Sequence, residues 1–440
     1  MVLDRPIAVL VIGGGGREHA LCWKIAQSPL AKRIYCAPGN AGTATTAKVD
    51  NVDIGVSDFA KISDFCHEHA IDLVVVGPDN PLADGIVDVL EGDGLTVFGP
   101  LKESARLEWS KVYAKDFLSQ HGIPTARYRV CNSFESGREI VERNPWARVV
   151  KVDGLALGKG VFVCDTGGEA LDALATIFRE ERFGAAGVAA VIEERLNGEE
   201  ISLLALCDGK TLVPLVPSQD HKRRFDGDRG PNTGGMGAFA PVDLYHRCQA
   251  DIDSKILAPI RRALESEKLT YKGVLYIGLM ITGSGAGQSR GAFQPYVLEF
   301  NARFGDPETQ AILPLLKSDL LPALWACTEG SLDQVSLQWE SGAACCVVAT
   351  AKDYPEGSSR GEPIDIGQLP AGALTFHAGT KLADERVLTN GGRVLAVTGT
   401  GASLEAARET AYSGIAKIKF ASMDYRRDIA ERAQAACQST

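Results

Sequence analysis

Apolar runs and polar punctuation alternate along this chain with a β-α rhythm. Residues 7–12 are continuously apolar and are closed by Gly13-Gly14-Gly15-Gly16. A short run of this kind, bounded by glycine, predicts a strand buried on both faces. A helical segment follows at 20–27, then a second strand at 33–37 that ends in Pro38-Gly39-Asn40. The pattern repeats with a helix at 58–69, a strand at 73–76 and a loop at 77–81. A helix at 85–90 and a strand at 96–98, ending in Gly99-Pro100, complete it. Strands alternating with helices predict a parallel sheet, with ligand-bearing loops at the carboxyl ends of its strands. This α/β domain is expected to end near residue 104.

Beyond it the pattern changes. Ser110 reads as the N-cap of a helix running to 121, stopped by Gly122 and Pro124. Residues 126–191 hold three or four short strands and one helix, at 169–179. Strands are expected at 188–192, 201–206, 273–281 and in the apolar front of 297–308. Helices are expected at 244–266, 309–316 and 320–329. The Gly/Ser segment 283–291 reads as a plain hairpin connection. A third region runs from about 335, with strands at 344–349 and 393–398, a segment at 374–379 and a helix at 402–420. No catalytic constellation appears there, so it reads as a structural, substrate-framing α+β domain.

Composition narrows the class. A chain of 440 residues, 45% hydrophobic and 23% charged, has the make-up of a soluble globular protein of two to four domains. Its formal net charge of -10 argues against general nucleic-acid binding and against an anionic membrane surface. No apolar run approaches the ~20 residues of a membrane span. The amino-terminal residues read as a strand and not a signal peptide. The eleven cysteines show no CxxC pair, so they read as buried thiols of a reducing, cytoplasmic compartment. Histidines and cysteines never cluster at zinc-ligand spacing.

Candidate chemistry sits in four stretches. The loop 13–19 places backbone amides at a helix start, a ready anion site. It is not a dinucleotide fingerprint, because Glu18 stands at the third glycine position and the second strand lacks the ribose-binding acid. The loop Gly154 to Gly160, with Gly158 and Lys159, joins two strands after Lys151. It departs from a Walker A loop in spacing and in the strand that follows, and reads as a mobile lid over a triphosphate. The acids Glu193, Glu194, Glu199 and Glu200 read either as a charged hairpin corner or as an adenine edge with a ribose carboxylate. Residues 218–237, carrying Lys222, Arg223 and Arg224, form the longest irregular stretch and read as an ordered anion-contacting loop. Finally, Glu299, Asn301 and Arg303 alternate on one strand face. That face is either solvated, or it presents a carboxylate and an amide oxygen to a hard divalent ion and a guanidinium to an anion.

Taken together, Gly13-Gly-Gly-Gly-Arg-Glu-His19, Pro38-Gly-Asn-Ala-Gly-Thr-Ala44, Ser218-Gln-Asp-His-Lys222, Gly230-Pro-Asn-Thr-Gly-Gly-Met-Gly237 and Arg303-Phe-Gly-Asp-Pro-Glu308 resemble the ATP-grasp ligases. The resemblance is to the glycinamide ribonucleotide synthetase family and spans essentially the whole chain. It implies an N-terminal domain (1–104), a two-lobed ATP-grasp module (105–334, with a small lid lobe at about 125–190) and a C-terminal domain (335–440). It implies ATP, Mg²⁺ (with Mn²⁺ as the alternative ion), glycine and 5-phosphoribosylamine. It also implies a cytoplasmic monomer or weak homo-oligomer, making glycinamide ribonucleotide through glycyl phosphate in purine biosynthesis. By resemblance, Lys111 and Lys151 would contact the nucleotide phosphates and base region, and the loop with Gly154, Gly158 and Gly160 would cover the triphosphate. Glu193, Glu194 and Leu196 would hold adenine, the last two through backbone atoms, and Glu200 would hold ribose. Glu299 and Asn301 would carry the metal. Arg303, Lys159 and Asp220 would serve the chemistry, with Lys222, Asn232, Thr233, Gly234, Gly235 and Met236 framing substrate. Gly14, Gly15, Gly16, Arg17, Glu18 and Pro78 would help bind the ribosylamine. Two departures stand out: Trp109-Ser110-Lys111 where the family has Gly-Ser-Lys, and Asp79-Asn80 where it has Glu-Ala.

Overall fold

The computed structural model describes residues 3–156, 159–283 and 293–433. The apolar runs of the first hundred residues form a five-stranded sheet. Its strands are β1 (Ile7–Gly13), β2 (Ala31–Pro38), β3 (Val49–Asn51), β4 (Leu73–Val76) and β5 (Val97–Phe98). The order is β3-β2-β1-β4-β5 and every pair is parallel. Every residue of β1 is buried, as its unbroken apolar run requires. Each Val, Leu or Ile side chain removed from water there stabilises the fold by about 1.5–3 kcal/mol. The order reverses between β1 and β4, so the Gly13 and Gly77 loops open at the switch point where such sheets bind ligands.

The first helix spans Gly16–Ala26 and starts four residues earlier than the sequence pattern predicts. Glu18 is the reason. Its carboxylate accepts the Gly15 N–H at 2.6 Å and caps the helix from within. A Cβ on Gly77 would lie 2.1 Å from Glu18 Oε1, so the acid fills the space between two glycine turns. The loop predicted at 77–81 is likewise the start of a short helix, Asp79–Asp84, with Pro78 at its N-cap.

The lid lobe is a four-stranded antiparallel sheet of β6 (Tyr128–Cys131), β7 (Ala147–Val152), β8 (Val161–Val163) and β9 (Ala190–Glu194). Its order is β6-β9-β7-β8, and it has a hydrophobic core of its own. Two helices pack on it, Phe134–Arg143 and Gly167–Phe178; only the second is predicted from sequence. β9 runs through Glu193 and Glu194, so these acids stand in a strand and not at a corner.

The second lobe is built on β10 (Glu199–Asp208) and β11 (Leu212–Pro214), joined by the strands Lys272–Thr282 and Gln294–Asn301. Gly278 pairs with Glu299 and Leu279 with Val297, so Leu298 is an extra residue in a bulge beside the metal-type acid. The stretch 218–237 is not irregular. Arg223–Phe225 and Arg229–Asn232 form a hairpin. The flanking strands Gln219–Asp220 and Gly237–Ala240 join the sheet of the C-terminal region, beside Ala343–Ala351, Arg393–Gly401 and Ala373–His377.

Ser110 caps the helix Lys111–Gln120 by accepting the Tyr113 N–H, as its sequence predicts. Residues 243–266 are helical throughout, with a π-helical segment at Asp253–Leu257. The C-terminal helix is shorter than expected, Leu404–Ile415, capped by Ser403. The ten described cysteines are free and buried. Among the described residues no helix is long and apolar enough to cross a membrane. The expected hairpin at 283–291 lies, but for Gly283, outside the described residues.

Candidate active site

A cavity of about 470 Å³ opens between the lid lobe, the second lobe and the C-terminal region. That is the size of an ordinary small-molecule site. Its inner wall is made of regular elements. Strand β7 brings Lys151, strand β9 brings Glu193, and the helix Lys111–Gln120 brings Lys111 and Lys115 on one face, four residues apart. Glu193 is shared: its carboxylate lies 3.0 Å from Lys115 Nζ and 3.0 Å from Lys151 Nζ. Lys151 also donates to the Leu298 carbonyl at 3.0 Å, and Lys115 donates to Thr125 Oγ1 at 2.6 Å. Burial pushes the Lys115 ammonium down to about 8 against the pull of Glu193, and burial lowers Lys111 as well.

The floor is the strand Gln294–Asn301. Glu299 makes no direct ion pair with any described residue. Burial raises its carboxyl, but Lys222, Lys151, Lys111 and Arg303 outweigh burial and hold it below the usual carboxylate range. An ionised, unpaired, buried carboxylate amid cations is chemically suited to a divalent ion. Asn301 beside it offers an amide oxygen that accepts a 3.3 Å bond from Arg303 Nη2. Among the described residues no group of three or more acid, histidine or cysteine side chains could hold a metal by itself.

The outer wall is made of element ends. Arg303 pairs with Glu108 at 3.3 Å and donates to the Phe304 carbonyl at 3.2 Å. Its Nε is buried without a partner. Glu108 also accepts the Ala302 N–H at 2.7 Å; burial pushes its carboxyl up to about 7, against Arg303. Arg17 donates to the Phe304 carbonyl at 3.1 Å and pairs with Glu18 at 2.5 Å. Asp306 pairs with Arg393 at 3.0 Å. To one side, Asp220 lies 3.2 Å from Lys222, which also pairs with Glu200 at 2.7 Å. Burial pushes Asp220 up to about 7, opposed by Lys222. The lid closes the top: Lys159 donates to the Pro355 carbonyl at 3.1 Å, and Asn232 donates to the Val161 carbonyl at 3.3 Å.

Of the residues singled out from sequence, Lys111, Lys151, Lys159, Gly160, Glu193, Glu299, Asn301, Arg303, Asp220, Lys222, Thr233, Gly234 and Arg17 line this one cavity. Others do not. Glu194 points outward and pairs with Arg127 at 2.7 Å, while its N–H donates to the Arg127 carbonyl. Glu200 meets the cluster through Lys222. Gly154 bounds the lid, its carbonyl receiving Lys111 Nζ at 3.4 Å. Gly14, Gly15, Gly16, Glu18, Pro78 and Leu196 stand off the cavity wall. Glu18, at 1% exposure, is a helix cap and not a substrate-facing group. Asn232 ties the lid, and Gly235 adopts φ +110 against Pro307. Met236 is fully buried, with its N–H on the His221 carbonyl and its own carbonyl taken by Val348, so it supports the loop and faces no substrate. Gly158 lies outside the described residues.

Sequence reading misses Lys115, Glu108, Tyr276, Glu308 and the C-terminal Arg393, Tyr354 and Pro355, all on the cavity wall. Lys115 was findable, one helical turn after Lys111. The C-terminal region, expected to carry no chemistry, supplies a guanidinium to the site.

Comparison with known proteins covers the whole chain. Residues 7–108 match the phosphoribosylglycinamide synthetase N domain, 109–309 the ATP-grasp (A) domain of that family and 344–432 its C domain. A phosphoribosylamine–glycine ligase of Synechocystis is 47% identical over 431 residues, covering 97% of this chain and 99% of the relative. A bifunctional purine biosynthetic protein of Schizosaccharomyces pombe is 44% identical over 434 residues; the chain spans 54% of that longer relative. The crystal structure of the phosphoribosylamine–glycine ligase of Thermotoga maritima superposes with a TM-score of 0.81 at 35% identity, covering 96% of this chain and all of that one. A biotin carboxylase domain of Hydrogenobacter thermophilus, at 15% identity and TM-score 0.70, shares the fold alone.

Proposed function

The chain belongs to the phosphoribosylglycinamide synthetase family, and from that premise we propose how its own side chains carry the family's reaction. The reaction is the ATP-dependent joining of glycine to 5-phosphoribosylamine, through glycyl phosphate, with release of ADP and phosphate. One observation carries the division of labour: an unpaired carboxylate, Glu299, lies between a wall with surplus positive charge and a wall of paired guanidiniums.

Glycine carboxylate and ATP are both anionic, so the site must first overcome their repulsion. Lys111 and Lys151, with the lid amides and Lys159, bind the triphosphate and neutralise its charge. Lys115 and Glu193 orient Lys151 and frame the base. Glu299 and Asn301 would hold the divalent ion, Mg²⁺ or Mn²⁺, which would supply positive charge against the phosphates. Arg303 offers its free Nε to an oxygen of the glycine carboxylate or the acyl phosphate made from it. Asp220 and Lys222, with Thr233 and Gly234, frame the amino acid. Arg17, at the switch point of the first sheet, faces the phosphoribosyl group. The amine nitrogen then attacks the acyl carbonyl, phosphate leaves, and a proton is released. The lid excludes water that would otherwise hydrolyse the intermediate. No enzyme nucleophile is needed for either step.

ADP release is to be measured with ATP, glycine and phosphoribosylamine, each omitted in turn. Amide formation requiring all three is expected. Turnover driven by bicarbonate in place of glycine would overturn the reading.

A further inference from the structure

Arg393 stands in the first position of the strand Arg393–Gly401, in the C-terminal domain, and reaches into the substrate side of the cavity. Its Nη1 donates to the Gly234 carbonyl at 2.5 Å and to the Asp306 carbonyl at 2.7 Å. Its Nη2 pairs with Asp306 Oδ2 at 3.0 Å. Tyr354, from the same domain, accepts the Gly234 N–H at 2.9 Å. The peptide groups on both sides of Gly234 are thus held by one domain. A Cβ at 234 would lie 3.2 Å from Arg393 Cζ and 3.2 Å from Tyr354 Oη, so a side chain there would have to push one of these two groups aside. Asp306 is also anchored by Gln310 Nε2 at 2.6 Å. One planar guanidinium therefore registers two sequence blocks against each other, 230–237 and 303–308. A point charge could not make that fork. Among the described residues no lysine of the nucleotide wall hydrogen-bonds to Arg393.

We propose that Arg393 is a positioning residue for acyl transfer: it fixes the Gly234 and Asp306 backbone so that the activated glycyl carbonyl meets the amine and not water. This rests on the ligase reading above. In the productive step the amine nitrogen forms the C–N bond. The bond between the carbonyl carbon and the phosphate oxygen breaks, phosphate leaves with the electron pair, and the nitrogen gives up one proton. In the wasteful step a water oxygen takes the place of the nitrogen, the same bond breaks, and glycine, phosphate and a proton result. ATP is then consumed without amide. Loosening the Gly234–Asp306 frame shifts flux from the first step to the second.

The test uses the full chain with Arg393→Gln, Arg393→Lys and Tyr354→Phe, measuring ADP and amide in the same reaction and the KM for ATP and glycine. In Arg393→Gln the ratio of ADP to amide is expected to rise several-fold, with KM for glycine raised and KM for ATP unchanged. Arg393→Lys is expected to restore part of the coupling. Tyr354→Phe, which removes a single acceptor, is expected to shift the ratio in the same direction by less, and it keeps the test decisive if the Arg393 variants fail to fold. A constant ratio with ADP and amide falling together, or kinetics unchanged in every variant, would overturn the proposal. Absence of glycine-dependent ADP formation in the parent chain would instead overturn the ligase reading itself.

Discussion

The two walls of the cavity use charge in opposite ways. On the inner wall Lys115 and Lys151 share one carboxylate, Glu193, and Lys111 adds a third ammonium that makes no ion pair among the described residues. On the outer wall three guanidiniums each have a carboxylate partner: Arg303 has Glu108, Arg393 has Asp306, and Arg17 has Glu18, which itself stands behind the wall. A surplus of buried charge is unfavourable until an anion arrives, so the inner wall is a binding surface. Balanced pairs leave little net charge but fix direction, so the outer wall is an orienting surface. This explains how a chain of net charge -10 binds a triphosphate: the local balance decides, not the total.

Breaking the acid between the walls should have the largest effect. Glu299→Ala is expected to lower Mg²⁺-dependent turnover by at least about a hundredfold, with circular dichroism unchanged. Removing inner-wall surplus comes next: Lys151→Met should raise KM for ATP roughly tenfold or more, read by initial rates at saturating glycine. On the outer wall, Arg303→Lys keeps the charge and loses the fork, so kcat is expected to fall roughly tenfold while KM for ATP holds.

The balance also predicts a pH signature. Burial raises Glu108 from 4.5 to about 7, so between those values the folded chain holds a proton the unfolded chain has lost. That contribution to stability is complete below about pH 4.5 and is lost as pH rises through 7. Asp220 acts with the same sign. Glu108→Gln should therefore flatten, without abolishing, the fall of the thermal midpoint across this window. The smallest expected effect is at Ser110, which caps the helix presenting Lys111 and Lys115. Ser110→Ala should cost about 1 kcal/mol of stability, measured by denaturant titration, with KM for ATP little changed.

The sequence made the inner wall partly legible and the outer wall mostly not. Strand β1, the capped helix after Ser110 and the strand carrying Glu299 are written in local pattern, and the structure has them. Glu299, Asn301 and Arg303 all line the cavity, but not by strand alternation: the strand ends at Asn301 and Arg303 lies beyond it. The helix Phe134–Arg143 was missed because Gly137 interrupts its pattern. That glycine lets the helix pack close on Leu174, where a Cβ would sit 2.9 Å from a methyl. Two of the three outer pairs escape local reading: Glu108, the partner of Arg303, also accepts the N–H of Ala302 194 positions on, and Arg393 and Asp306 lie 87 apart, whereas Arg17 and Glu18 are neighbours. The family resemblance implies a substrate contact for Glu18, but its carboxylate is spent on its own helix start. The hairpin inside 218–237 was hidden by glycines and charges that suit either a turn or a loop.

The claim on which the account stands is that the two walls bring ATP to the carboxylate of glycine and phosphorylate it. Glycine labelled with ¹⁸O in both carboxylate oxygens tests this directly, by mass spectrometry of the phosphate released during amide formation. The account predicts one ¹⁸O atom transferred to each phosphate and one retained in the amide. Phosphate free of label, with amide still formed, would contradict it.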